Sequence, residues 1–161
     1  MKTNVIVKLE IDAIHNWPGV VEHKELEQVH FLQYPHRHLF KITAKKAVTH
    51  DDRDIEIIML KRNIIDYLHR RYYNKGANTH TLGSTSCEML AKELTKVFSL
   101  SYCEVLEDGE NGAEIYSDEV YVPTEVVEGD TVTIEPLDWS VTYSTDNVQV
   151  NYTYKSGSIS L

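Results

Sequence analysis

His36 and His38 flank Arg37 in the stretch VHFLQYPHRHLFKIT, residues 29–43. In an extended strand, side chains two apart share a face, so these two imidazoles reach one metal ion without any special turn. A third histidine, His15, stands at the end of the first apolar run, in IDAIHNW. Three neutral imidazoles with a fourth position left to water or substrate are the ligand set of a catalytic rather than a structural zinc site. An isolated H-x-H pair more commonly lines a solvated strand face. The third histidine, at a strand end, turns the preference toward metal ligation.

The elements that must carry these histidines follow from period and punctuation. Residues 4–14 alternate apolar and polar side chains, which predicts a half-buried strand closed by Asn16-Trp17-Pro18-Gly19. Residues 20–35 show no period and read as a long loop with a helical turn near 24–28, and residues 36–48 as a second strand. A helix is predicted over about 54–73, with Ile57, Ile58, Ile64, Ile65, Leu68 and Tyr72 as its apolar stripe and Gly76 and Asn78 ending it. A second helix opens at Ser84-Thr85-Ser86-Cys87-Glu88, where Thr85 and Glu88 have capping-box spacing. Its inward face is Cys87, Leu90, Leu94, Val97 and Phe98, which makes Cys87 a small core residue rather than a nucleophile. Strands at 102–106 and 113–122, joined by the turn-rich segment 107–112, read as a hairpin.

The order is thus ββααββ, an α+β fold. Its expected architecture is a four-stranded antiparallel sheet with two helices on one face, over residues 1–122. Residues 123–161 read as a β-rich extension, with strands expected at 131–135, 141–144 and 148–154.

Composition narrows the function. Asp and Glu number 25 against 16 Lys and Arg, a net charge of −9, which argues against nucleic acid as a partner. The two cysteines, Cys87 and Cys103, form neither a C-x-x-C pair nor a disulfide framework, so a reducing compartment is expected. No run approaches the roughly 20 apolar residues that span a bilayer, and the first residues lead into a strand pattern instead of a signal peptide. A cytoplasmic protein without membrane contact is the expectation. Glycine-rich phosphate loops, G-x-S-x-G elbows and H-E-x-x-H helices are absent from the sequence.

Four segments resemble the 6-pyruvoyltetrahydropterin synthase and 6-carboxytetrahydropterin synthase family, whose members share the tunnelling fold. They are Ala13-Ile14-His15, His36-Arg37-His38, TSCEMLAKEL at 85–94 and VLEDGENGAEIY at 105–116, and the likeness covers roughly residues 4–122. The resemblance implies zinc held by His15, His36 and His38, and a pterin or purine ring anchored by Glu107. It also implies a zinc-dependent carbon–oxygen or carbon–carbon lyase acting on a dihydroneopterin triphosphate-like substrate, in a cyclic homo-oligomer whose sheets join edge to edge.

The departures from the family concern its proton relay. The cysteine four residues before the H-x-H pair is replaced by Leu32, and in the Leu-Asp-His segment after the first helix His69 and Arg70 take the places of aspartate and histidine. Leucine takes no proton and arginine stays protonated. His30, His69 and His80 are the candidate substitutes, each of which alone reads equally as a surface imidazole, and Arg70 and Arg71 are candidate phosphate contacts. Three function classes follow: a zinc-dependent lyase, a protein that binds or sequesters a pterin, purine or modified nucleotide, and a structural oligomer component.

Overall fold

β1 (Thr3–His15) buries Val7, Leu9, Ile11 and Ala13 on one face and exposes Lys8 and Glu10 on the other, as period two requires. The computed structural model describes residues 2–117, 140–142 and 151–153. β2 (His36–Val48) runs antiparallel to β1 in unbroken register, from Thr3↔Val48 to His15↔His36. That register is what brings the three histidines together. It sets His15 opposite His36 and Ala13 opposite His38, so all three imidazoles rise from the face that carries Leu9, Ile11, Phe40 and Ile42.

β5 (Tyr102–Glu107) pairs with the other edge of β2, with Phe40 opposite Glu107, and β6 (Asn111–Tyr116) returns along β5 as a hairpin. Gly112 is obligatory in that hairpin, because a Cβ there would run into the Val105 carbonyl across the pair.

The sheet is not the expected four antiparallel strands. Among the described residues it has six, β3 (Tyr73–Asn74) and β4 (Thr79–Gly83) extending it beyond β1 in the order β3-β4-β1-β2-β5-β6, and it is mixed, because β4 lies parallel to β1. β3 pairs antiparallel with β4 at its outer edge. Gly76 and Asn78, read from sequence as a helix stop, belong to the tight turn between β3 and β4. There the Asn74 carboxamide oxygen accepts from the Gly76 and Ala77 backbone N–H groups, and Asn78 takes a positive φ of 51°. Strands this short hold too few residues to display a period.

α1 (Ile57–Tyr72) and α2 (Cys87–Phe98) supply the second layer and share one apolar core with the inward residues of β1, β2 and β5. The buried stripe of α1 is Leu60, Ile64 and Leu68. Ile57, Ile58 and Ile65, expected on that stripe, are 49%, 57% and 39% exposed. A strict four-residue step defines the buried line; Ile58 and Ile65 sit about 120° and 100° round the helix from Ile64, whereas Ile57 shares the line's direction and is exposed as the first residue of the helix. The α1 cap is Glu56, whose carboxylate accepts from the Met59 N–H. Asp54 instead closes the preceding turn by accepting from Thr49. The α2 cap is Ser86, one residue beyond the expected Thr85, whose own N–H is committed to the Leu82 carbonyl. The expected inward face of α2 holds for Cys87, Leu90 and Leu94, joined by Ala91 and Thr95, while Val97 and Phe98 are half-buried. The segment expected as a loop winds into two 3₁₀ stretches, Pro18–Glu22 and Lys24–Gln33.

Glu93 pins the two helices together. It accepts from Tyr67 Oη at 2.7 Å and Tyr72 Oη at 2.9 Å, and pairs with Arg71 Nε at 2.8 Å. Burial, and then the hydrogen bond to Glu93, pushes the Tyr67 phenol above its usual range. Glu93→Ala strands two half-buried phenols and should cost about 1–3 kcal/mol in urea unfolding. Unchanged stability would show that the cluster pins nothing.

The chain divides into two compact units, Met1–Tyr121 and Val122–Leu161. In the second, β7 (Ser140–Thr142) and β8 (Asn151–Thr153) form an antiparallel pair. The strand expected at 131–135 and the end of the one expected at 113–122 lie outside the described residues. Among the described residues no helix is long and apolar enough to cross a membrane.

Candidate metal centre

His15, His36 and His38 form a triangle of rings with centroids 4.5, 5.3 and 5.2 Å apart, each ring edge-on to the others. One ring nitrogen of each lies within 4.8 Å of the other two, close enough for the three residues to hold a metal ion.

Each ring is oriented from behind. His36 Nδ1 donates to the Tyr34 carbonyl at 2.8 Å, and His38 Nδ1 donates to Asp108 Oδ2 at 2.6 Å. Both partners are acceptors, so both Nδ1 atoms carry the proton and both Nε2 atoms are left to face the site. His15 makes its hydrogen bond with the Thr85 backbone, and its Nε2 is buried without a hydrogen-bond partner among the described residues. Burial is the main reason His15 sits below the usual imidazole range, the Glu107 carboxylate opposing it in part. That keeps the ring neutral, as metal ligation requires.

Asp108 was not found from the sequence. It follows β5 with a positive φ of 54°, which Asp tolerates better than most residues. Its second oxygen accepts from the Leu39 N–H at 3.0 Å, so a backbone bond fixes the carboxylate that fixes His38. The His38 hydrogen bond, and then the Leu39 one, hold its carboxyl below the usual carboxylate range. Asp108→Ala should weaken metal binding about 10- to 100-fold in a chelator competition. Asp108→Asn, whose carbonyl still accepts from Nδ1, should lose less. Equal losses would show that charge rather than ring orientation matters.

Glu107 closes the fourth side. Its Oε1 is 3.3 Å from His15 Nε2 and its Oε2 is 3.6 Å from His38 Nε2, while the Cys87 thiol donates to Oε1 at 3.6 Å. Burial first, then Glu107, pushes the Cys87 thiol up to about 12, so it stays protonated and unreactive at neutral pH. Glu107, Cys87, His15 and His36, but not His38, line a cleft of about 530 Å³ whose other walls include Trp17, Leu32, Met89 and the hydroxyl-rich segment before α2.

Leu32 lines the cleft; His30, His69, His80 and Arg70 do not. His69 stacks on Tyr73 at 4.2 Å with His80 edge-on to both, and His80 Nδ1 is bound to the Asp12 carbonyl. His30 Nε2 bonds the His23 carbonyl. Arg70 is exposed on the last turn of α1, and Arg71 is engaged by Glu93.

Fold and site together define an α+β chain with a three-histidine candidate metal centre beside an open cleft. No protein-family model matches the chain, and no curated protein matches it.

Proposed function

We propose that the chain is a zinc-binding protein of the tunnelling-fold type, which takes a pterin- or purine-like ligand in the cleft beside its metal and binds it without the family's proton relay. The observation that carries this reading is the triad of imidazoles, one ring nitrogen of each within 4.8 Å of the other two, with His36 and His38 held from behind through Nδ1. An all-imidazole set suits zinc among the abundant divalent ions. When bound, the metal would polarise an oxygen of the ligand as a Lewis acid. Residues of this chain would do the rest: Trp17 and Leu32 offer apolar walls, and Glu107 offers acceptors to ring N–H and amino donors. Leu32 moves no proton, and His30, His69 and His80 do not line the cleft, which favours binding over turnover.

The fold reading carries an assembly with it. β3 and β6 end the sheet, and strand edges of this kind are what edge-to-edge assembly into a cyclic homo-oligomer would cover. A reducing, cytoplasmic setting agrees with two unpaired, buried thiols.

Mass spectrometry of protein purified without added metal should find zinc, calorimetry should find binding of a pterin or guanine-type compound, and dihydroneopterin triphosphate should not turn over. Turnover would restore the lyase reading. Absence of both metal and ligand would leave only a structural role.

A further inference from the structure

We infer that Glu107 is the fourth ligand of the metal in the ligand-free protein, so that the centre is a closed His₃Glu set rather than three histidines with an open position. This rests on the metal reading of the triad and changes what the fourth position does.

Three observations carry it. Glu107 is the last residue of β5 and is paired with Phe40, so its side chain leaves the sheet on the same face as His38 and His15. Its two oxygens stand 3.3 and 3.6 Å from two different Nε2 atoms. Ligands about 2.0 to 2.2 Å from a tetrahedral ion stand roughly 3.3 to 3.6 Å from one another, so the carboxylate lies at a co-ligand's distance from both rings. The third is hydrogen bonding. His38 Nδ1 donates outward to Asp108, and His15 Nε2 makes no hydrogen bond although Glu107 Oε1 is 3.3 Å away. On both rings the nitrogen that meets the carboxylate is Nε2, and a cation set between them would be held by the two rings and the carboxylate together.

Cys87 completes the arrangement from the side, its thiol giving Oε1 a weak hydrogen bond as outer partners of metal-bound carboxylates do. A ligand that chelates the metal must then displace Glu107, which frees the carboxylate for the ligand's own N–H groups. The residue would serve the metal first and the ring second.

Cobalt(II) alone is the probe, because its visible spectrum reports donor number. Wild type, Glu107→Ala, Glu107→Gln and His36→Ala are titrated with it, and each is then challenged with azide. We expect wild type to show four-coordinate bands that azide leaves in place. Glu107→Ala should bind cobalt more weakly by at least the roughly 10- to 100-fold that loss of an outer partner costs, with bands that azide shifts. Glu107→Gln, equal in size, keeps the test valid if the alanine variant fails to fold, and it too should bind more weakly. Wild-type bands that azide shifts, or a Glu107→Ala spectrum and affinity equal to wild type's while His36→Ala loses the metal, would overturn the proposal and leave the triad standing. Wild type that takes up no cobalt would overturn the metal reading and this proposal with it.

Discussion

His36→Ala should leave the purified protein with almost no zinc while its apo form melts where wild-type apo protein does. The two parts of that expectation have separate causes. His36 supplies one arm of the strand chelate, and removing it breaks that chelate and leaves His15, His38 and the Glu107 carboxylate one donor short of the full set. The side chain contributes little to the core: it is half-exposed at the start of β2, and its one hydrogen bond goes to a carbonyl of its own turn. A metal at a thousandfold excess over its dissociation constant stabilises the state that binds it by about 4 kcal/mol. Chelation should therefore lower the melting temperature of wild type to that of the variant and leave the variant unmoved. A variant that keeps its zinc, or a wild type indifferent to chelator, would remove the metal centre from the protein.

The H-x-H pair was legible because it depends only on period. His36 and His38 share a face in any strand, and the alternation that buries Val7, Leu9, Ile11 and Ala13 carries His15 to the same face two residues later. The register that sets His15 opposite His36 is a tertiary fact, set by the pairing of β1 with β2 across the intervening segment 16–35. The two long helices were legible by the same logic, apart from the stripe of α1. There β-branched Ile57, Ile58 and Ile65 drew attention away from Leu60, the residue that keeps the four-residue step.

Other features have no sequence period to betray them. β3 and β4 together span a short hairpin after α1, and the parallel contact of β4 with β1 depends on where α1 delivers the chain. Asp108 looked like one more acid in an acidic turn. Its positive φ and its two hydrogen bonds exist only once β5 has docked on β2 and brought His38 and Leu39 alongside. Glu107 was read as a ring anchor from the resemblance alone. Its contact with two imidazole nitrogens follows from the Phe40↔Glu107 register, which a single sequence does not reveal.

Phe40→Ala should be the most damaging single change for both fold and site. Phe40 is fully buried on β2, two residues from His38 and next to Ile11 across the pair. Its ring meets those of His15 and His38 edge-on, with centroids 5.1 and 6.0 Å away, so it is the floor on which two of the three candidate ligands rest. Truncation of a buried phenylalanine costs about 3–5 kcal/mol, a large share of the 5–15 kcal/mol by which a typical domain is stable. The melting temperature should fall by on the order of 10 °C or more. Zinc affinity, measured well below that transition, should fall as well, because His15 and His38 gain rotamers that point away from the ion. Ile64→Ala separates the two effects, since Ile64 is equally buried but sits on α1 in the helical layer. It should lower the melting temperature by a comparable amount, the cost of a buried isoleucine being about 2–5 kcal/mol, and leave zinc affinity near wild type. If both variants weaken zinc equally, the centre follows global stability alone and Phe40 is no floor to it.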